Sequence, residues 1–232
     1  MKKLIAAFKY LTIWGRFTAL SPQAETVGTA FFFPLVGLAL GLILALMNYL
    51  LAPYLDLEIL SVALVAAQII MTGGIHLEGL RRTFDPTITL GAKDQIGSTL
   101  GLIAVVLVIL FKLAAIDSMD EKLTLSLLLT SVLARWALVI FLYGCDHRCD
   151  EKARLIAANV SLWQLILATA ATLVLTVYFL GRKGLLIGFF VSLFALLARS
   201  LLYRRYSLLT GDNFGAVIEL SEVVSLILLA SL

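Results

Sequence analysis

Residues 31–50, FFFPLVGLALGLILALMNYL, form a stretch of twenty residues without a single charged side chain. A run of this length can cross the hydrocarbon core of a bilayer as an α-helix. The whole chain has the same character, because 61% of its 232 residues are hydrophobic, only 14% are charged and the mean hydropathy is +1.03. Soluble domains carry about 25% charged residues, so this composition argues against one and indicates a membrane protein.

About seven segments are apolar enough to span a membrane. They lie near residues 28–52, 57–75, 97–117, 123–144, 160–180, 184–202 and 214–232. Because lipid offers no partner to exposed backbone groups, a spanning segment must be a helix or part of a closed barrel. These runs lack the alternation of barrel strands. The sequence therefore predicts an all-α, polytopic membrane protein that forms a single integral membrane domain over residues 1–232.

The N-terminal segment, residues 1–19, differs from the predicted spans. Four cations interrupt its aliphatic and aromatic residues: Lys2, Lys3, Lys9 and Arg16. Such a pattern is typical of an amphipathic helix that lies in the membrane interface. An anchor that only fixes the topology is the alternative.

Lysine and arginine residues are distributed unevenly between the two sets of connections. The N-terminal segment and the connections 76–96, 145–159 and 203–213 together hold twelve of them, whereas the opposite connections hold three. Cytoplasmic loops are enriched in these residues. We therefore expect a cytoplasmic N-terminus, and we expect any chemistry to take place in the cytoplasmic loops.

Four ionisable side chains fall well inside predicted spans: Lys112, Arg135, Glu219 and Glu222. Each is costly in lipid and is therefore a functional hypothesis by default. Lys112 lies near the outer end of its span, where its amine could reach the interface. Arg135 lies roughly 13 Å deep at 1.5 Å per residue, at about the depth of Glu222, and we predict that these two side chains pair.

The last span carries three carboxylates on one helical stripe, because Asp212 and Glu219 are seven residues apart and Glu222 follows one turn later. Carboxylates that lose hydration require a cation or a proton. If Arg135 neutralises Glu222, Asp212 and Glu219 are left free to hold a metal ion.

The connection 76–96 collects a second set of charged residues: Glu78, Asp85 and Asp94, with Arg81, Arg82 and Lys93 alongside. Mg²⁺ favours carboxylate oxygens and retains several waters and substrate phosphates. Two acidic clusters near one membrane face therefore suit a metal-bound phosphate substrate. A solvated, charged loop is the alternative.

The cysteines Cys145 and Cys149 occur in CDHRC, a C-x3-C pattern with His147 between them. The pattern suggests a metal site, but zinc sites normally show a second ligand pair, and none is present. Reduced thiols without a role are the alternative.

TGGIHLEGLRRTFD, residues 72–85, resembles the signature GG-(Leu/Ile)-H-x-DGLADT-x-D of the cobalamin synthase family. Further segments resemble this family in chain order: FFFPLVGLALGLILAL (31–46), AKDQIGSTLGLIAVVLVILFKLAAI (92–116), LARWALV (133–139) and LTGDNFGAVIELSEVVSLILLA (209–230). The similarity covers nearly the whole chain. The last segment is the most specific, because its polar residues are improbable in a membrane helix.

The resemblance implies a polytopic enzyme of the cell inner membrane, surrounded by lipid. It would join adenosylcobinamide-GDP to α-ribazole or its 5′-phosphate, release GMP and use Mg²⁺ as its cofactor. Nucleic acid is not implied as a partner, and oligomerisation is left open. By motif position, the metal ligands would be Glu78, Asp85, Asp94, Asp212 and Glu219. The catalytic residues would be Glu78, Asp85, Asp94 and His76. The substrate-binding residues would be Lys93, Arg81, Arg82, Arg135, Gly73, Gly74 and Gly211.

The chain also departs from that signature. Glu78 stands where the family has Asp, Arg82 stands where it has an acid, and Phe84 and Pro86 replace small residues. The stretch that follows, up to Lys93, is several residues shorter than usual. A cation in the place of a metal ligand reverses the local charge. Either Arg82 clamps a phosphate while the remaining acids hold the metal, or the chain is a divergent paralogue with altered or lost catalysis.

Two other classes of membrane protein are alternatives to the transferase. A transporter or corrinoid-binding membrane protein is expected to show inverted repeats and helices broken at the midplane, whereas this sequence has no convincing repeat and its acids cluster near one face. A different Mg²⁺-dependent phosphotransferase, like the CDP-alcohol phosphotransferases, would carry D-x-x-D-G-x-x-A-R, which is absent.

Overall fold

The computed structural model describes residues 2–14, 28–85, 95–119, 122–158 and 160–231. Ten α-helices are assigned within these ranges: α1 (Lys2–Leu11), α2 (Phe33–Leu51), α3 (Leu57–Thr72), α4 (Ile75–Phe84), α5 (Gln95–Asp117), α6 (Leu123–Leu142), α7 (Glu151–Ala157), α8 (Leu162–Leu180), α9 (Arg182–Arg205) and α10 (Gly211–Ser231). Two short 3₁₀ turns accompany them, Ala30–Phe32 and Asp146–Arg148.

Six of these helical segments are long and apolar enough to cross a membrane: Ala30–Leu51, Thr99–Asp117, Leu123–Leu142, Leu162–Leu180, Arg182–Arg205 and Gly211–Ser231. The α3–α4 pair, bent by 89°, makes a seventh candidate if it is counted as one broken span. The expected all-α, polytopic membrane protein with about seven spans is therefore confirmed.

Helix α6 lies at the centre of the helical assembly. Apolar residues are spread around its whole circumference, and its residues are buried almost continuously from Leu123 to Leu142. A helix of this kind must be surrounded by other helices, and α6 packs against α2, α8, α9 and α10. The peripheral helices α8 and α9 instead expose many large apolar side chains.

Glycines allow α2 to lie directly against α6. A Cβ atom at Gly41 would lie 2.8 Å from both Cα and the carbonyl oxygen of Leu128, and one at Gly37 would clash with the carbonyl of Ser131. Small residues four positions apart let two membrane helices approach through their backbones. The α2–α6 contact therefore depends on these two glycines.

The bend between α3 and α4 is formed by Gly73 and Gly74. Both adopt left-handed backbone conformations, with φ of 64° and 67°, which glycine tolerates without steric cost. The sequence predicts a loop over residues 76–96, and this is wrong for 76–84, which belong to α4. Two consecutive left-handed residues end α3 and let the chain restart at once as a helix in a new direction.

The N-terminal segment is docked on the helices that follow it. Ala7 and Leu11 are fully buried, the ring of Tyr10 stacks on Phe33 with centroids 5.8 Å apart, and the amide of Ile13 donates to the carbonyl of Met71 at 2.9 Å. The predicted helix over residues 1–19 is observed as Lys2–Leu11, and residues 15–19 lie outside the described ranges.

We expect Gly41→Ala to weaken the α2–α6 contact, because its new methyl group has no space against the backbone of Leu128. Overpacking of this kind costs about 1–3 kcal/mol. Thermal unfolding of the purified protein in detergent should show a lower melting temperature for this variant. Leu42→Ala, at an exposed neighbouring position on the same helix, is the control and should change it much less. An unchanged melting temperature for Gly41→Ala would contradict the described packing.

Candidate functional site

Five charged side chains, here called the charged cluster, meet where α4 packs against the start of α10: Glu78, Arg81, Arg82, Asp85 and Asp212. Glu78 accepts hydrogen bonds from Nε of Arg81 at 2.8 Å and from Nε of Arg82 at 2.7 Å. Arg81 also reaches Asp85 at 3.5 Å, and Arg82 approaches Asp212 at 3.7 Å. Each arginine thus bridges two carboxylates.

Sequence spacing and one glycine produce this arrangement. Residues 78, 81, 82 and 85 are separated by three, four and seven positions, and this spacing places their side chains on one face of α4. The start of α10 can approach that face because Gly79 has no side chain, and a Cβ there would lie 2.7 Å from the carbonyl oxygen of Asp212. Asp212 lies in the first turn of α10, where the helix dipole favours a carboxylate.

The charged cluster is accessible to a solute. The side chain of Asp212 is 38% exposed, and those of Glu78 and Arg82 are exposed to a similar degree, whereas Asp85 is buried. Ion pairs with this exposure contribute at most about 1 kcal/mol each to stability. The arginines can therefore exchange a carboxylate for an incoming anion at little cost.

A pocket of about 200 Å³ opens beside Asp212. Three helices contribute to its lining, which includes Tyr10, Ile75, His76, Gly211, Asp212 and Phe214. A Cβ at Gly211 would lie 3.7 Å from the hydroxyl oxygen of Tyr10, so the tyrosine closes over the start of α10. Asp212 thus lies on the boundary between this pocket and the charged cluster.

His76 presents one free ring nitrogen within this buried site. The residue is 4% exposed, its imidazole hydrogen-bonds the backbone of Leu11, and its Nε2 has no hydrogen-bond partner among the described residues. The bond to Leu11 is therefore made by Nδ1, which donates to the carbonyl. Because Nδ1 carries the proton of the neutral ring, Nε2 is an acceptor.

The phenol of Tyr10 remains protonated in this environment. Burial, and secondly the negative charge of Asp212, raise the pKa of Tyr10 above its ordinary value. A tyrosine with a raised pKa keeps its proton throughout the physiological range. The pocket therefore holds a hydroxyl donor from Tyr10 as well as the acceptor nitrogen of His76.

A second set of charges, here called the buried ion network, lies in the core and consists of Lys112, Arg135, Glu219 and Glu222. Lys112 binds Glu219 at 2.6 Å and Glu222 at 2.5 Å, and Arg135 donates to the other oxygen of Glu222. The predicted pairing of Arg135 with Glu222 is therefore confirmed.

Two expectations about this network are corrected. Lys112 does not extend to the interface; it is only 3% exposed, because two carboxylates of α10 face it from the core side. Glu219 is not left free for a metal, since its carboxylate is paired with Lys112. Asp212 and Glu219 therefore belong to different environments, one at the charged cluster and the other in the helical core.

The other sequence-predicted residues lie as follows. Arg135 is fully buried in the ion network and is not part of the charged cluster. Gly73 and Gly74 form the α3–α4 bend, and a Cβ at Gly73 would press on the side chain of Ile13. Lys93 and Asp94 lie outside the described residues.

No group of three or more His, Cys, Asp or Glu side chains that could hold a metal ion occurs in the part of the chain that the structure describes. In the charged cluster both oxygens of Glu78 are engaged by arginines. The sulfur atoms of Cys145 and Cys149 lie 3.3 Å apart as buried thiols.

Tyr10 is the residue that the sequence does not indicate. It belongs to a helix that the sequence describes only as a membrane-associated amphipathic segment, and no periodicity relates it to His76 or Asp212. The aromatic side chains in residues 1–19 are as consistent with anchoring at the membrane interface as with a place in a pocket. Only the docking of α1 against the α3–α4 bend reveals that Tyr10 lines the pocket.

The fold therefore defines an all-α, polytopic membrane protein in which a polar pocket and the charged cluster lie side by side at the start of α10. The family model described as cobalamin-5-phosphate synthase matches residues 3–230, and the chain belongs to this family.

Several curated proteins with the name adenosylcobinamide-GDP ribazoletransferase are similar to this chain. The one from Geotalea daltonii is 32% identical over 87% of this chain and 85% of its own length. The one from Thermodesulfovibrio yellowstonii is 25% identical over 98% and 95%, and the one from Pseudomonas fluorescens is 29% identical over 90% of each. No solved structure matches the chain.

We expect Arg135→Ala and Glu222→Ala to be energetically coupled, because each alone leaves the buried ion network with one uncompensated charge, whereas the double variant keeps the balanced pair of Lys112 and Glu219. Breaking a buried pair costs about 3–5 kcal/mol, and the two effects should fall short of additivity by about 1 kcal/mol or more. A double-mutant cycle of unfolding free energies in detergent measures this coupling. Arg135→Ala combined with Glu58→Ala, at an exposed position on α3, should be additive. Additive effects for Arg135 and Glu222 would contradict their pairing.

Proposed function

We propose that this chain is a membrane-bound adenosylcobinamide-GDP ribazoletransferase. It transfers the corrinoid phosphate of adenosylcobinamide-GDP to a ribose hydroxyl of α-ribazole, or of its 5′-phosphate, and releases GMP. The family match over residues 3–230 and the relatives of that name support this reaction. The structural observation that supports this reaction is the charged cluster of two arginines and three carboxylates. It lies beside a pocket in which one histidine nitrogen has no hydrogen-bond partner among the described residues.

Arg81 and Arg82 bind the diphosphate in this proposal. A guanidinium group presents paired N–H donors that match phosphate oxygens, and such bonds are stronger when both partners are charged. In the structure these donors are occupied by Glu78, Asp85 and Asp212. The diphosphate would take over part of these contacts, and the displaced carboxylates would become available as ligands for a cation.

The carboxylates of the charged cluster would hold Mg²⁺ together with the diphosphate. The carboxylate oxygens of the charged cluster have the chemistry that Mg²⁺ prefers, and this ion is usually held by one or two carboxylates, waters and substrate phosphates. Asp212 is the least engaged carboxylate, since its contact to Arg82 is 3.7 Å long, and Glu78 would be the second ligand. When bound, the ion neutralises charge on the phosphates. Asp85 and Asp94 remain predicted ligands, whereas the carboxylate of Glu219 is paired with Lys112 in the buried ion network.

His76 accepts the proton of the attacking hydroxyl. Its Nε2 is an acceptor without a partner among the described residues, and the bond from Nδ1 to the Leu11 carbonyl fixes this tautomer. The ribose oxygen forms a bond to the phosphorus next to the corrinoid arm, and the anhydride bond from that phosphorus to GMP breaks. The hydroxyl proton moves to Nε2, and GMP leaves with the electron pair. Positioning and electrostatics supply most of the catalysis in such transfers.

The same proposal places the charged cluster at the cytoplasmic face of the cell inner membrane, with the N-terminus on that side. The twelve-to-three distribution of lysine and arginine supports this orientation. Lipid would contact the apolar outer faces of α8 and α9.

One observation favours a second candidate function, a non-catalytic paralogue that binds the corrinoid nucleotide. Arg82 lies between Glu78 and Asp212 and forms ion pairs with both carboxylates. A site with this built-in cation could bind a diphosphate without the metal that transfer requires. Turnover distinguishes the two functions.

We expect the purified protein to release GMP from adenosylcobinamide-GDP when α-ribazole and Mg²⁺ are both present, and not when either is omitted. Chromatography of the nucleotides measures the product. Reactions without protein provide the control. If the corrinoid nucleotide binds but no GMP forms, the transferase is excluded and the non-catalytic paralogue is favoured.

We expect Asp212→Asn to lower Mg²⁺-dependent GMP release on the order of 100-fold, because a neutral amide no longer attracts the cation at the phosphates. The measurement is the initial rate as a function of Mg²⁺ concentration, with the melting temperature recorded in parallel. Asp117→Asn, at an exposed position at the end of α5, should keep the wild-type rate. A variant Asp212→Asn that retains full activity would remove this residue from the site.

A further inference from the structure

Helix α1 supplies two contacts to the pocket beside Asp212. The hydroxyl of Tyr10 lines it, and the carbonyl of the next residue, Leu11, holds the ring of His76. The helix is itself fixed by the burial of Leu11 and by the stacking of Tyr10 on Phe33. A segment whose composition indicates a membrane anchor therefore forms one wall of a binding site.

The size of the pocket limits what it can accept. Sites for drug-sized ligands usually measure about 300–1,000 Å³, whereas this pocket measures about 200 Å³. It is therefore too small for a corrin ring or for a whole nucleotide, and a single sugar ring is closer to its capacity. Ile75 and Phe214 give it an apolar wall, which suits the carbon face of such a ring.

The polar atoms of the pocket match one chemical group. The unpartnered Nε2 of His76 requires a donor, because a buried acceptor without a hydrogen-bond partner is energetically unfavourable. Tyr10 keeps its proton and can donate. An alcohol satisfies both at once, since its oxygen accepts from Tyr10 while its proton points to His76. A phosphate group would instead need cationic donors, and the described residues that line this pocket include no lysine or arginine.

We propose that Tyr10 is a binding residue for the acceptor nucleoside, whose ribose occupies the pocket formed by α1, α4 and α10. One ribose hydroxyl accepts a hydrogen bond from the Tyr10 phenol and donates one to Nε2 of His76. This inference rests on the proposed transferase function and adds the position of the acceptor to it. The acceptor thus lies on one side of Asp212 and the diphosphate on the other.

Tyr10→Phe tests this proposal, since it removes the hydroxyl and keeps the ring that stacks on Phe33. The loss of one hydrogen bond predicts that the KM for α-ribazole rises about tenfold, while the KM for adenosylcobinamide-GDP and the melting temperature stay as in the wild type. Tyr178→Phe is the matched control, because Tyr178 lies 81% exposed on α8, and it should leave both KM values unchanged.

The possible results distinguish a failure of the role of Tyr10 from a failure of the transferase function. If the wild type releases GMP and Tyr10→Phe leaves the KM for α-ribazole unchanged, or raises both KM values equally, the role of Tyr10 is wrong and the transferase stands. If the wild type releases no GMP, the transferase is wrong. Equilibrium dialysis of α-ribazole against both proteins then decides the role of Tyr10. Weaker binding by Tyr10→Phe supports it, and equal or undetectable binding by both proteins overturns it.

Discussion

The neutralisation of four charges inside the helical core is the interaction on which the rest of the structure depends. Lys112 on α5 and Arg135 on α6 meet Glu219 and Glu222 on α10, and every member is buried. Removing one partner of a buried pair costs about 3–5 kcal/mol, so these ion pairs strongly favour the register in which the three helices are observed. That register also determines where α10 begins, because Asp212 precedes Glu219 by two helical turns, or about 10 Å.

From this fixed start of α10 the site is assembled by close backbone contacts. Gly79 lets α4 approach the carbonyl of Asp212, and the Gly73–Gly74 bend turns α4 so that its charged face meets α10. The side chains of the charged cluster are therefore carried on two helices whose close approach depends on a glycine. Their own ion pairs, which are partly exposed, contribute little to holding the fold.

Much of the fold follows from the sequence because lipid imposes simple rules on it. The length of each apolar run predicts a span, and equal depth predicts that Arg135 and Glu222 pair, as observed. For Lys112 the position along its own helix suggests an amine that reaches the interface. This position does not reveal that Glu219 and Glu222 face the amine from another helix. The spacing of Glu78, Arg81, Arg82 and Asp85 places them on one helical face, but their contact with Asp212 requires the tertiary fold. Tyr10 could not be predicted, because its place in the pocket arises from the docking of α1.

The pocket joins residues that are far apart in the order of synthesis. Tyr10 belongs to the first of the described helices and Asp212 to the last, while His76 lies between them on α4. A chain that emerges from the ribosome from its N-terminus exposes α1 long before α10 has been made. The pocket can therefore form only after the last described helix has been inserted, so a partly synthesised chain lacks this pocket, whichever of its earlier spans are already in the membrane.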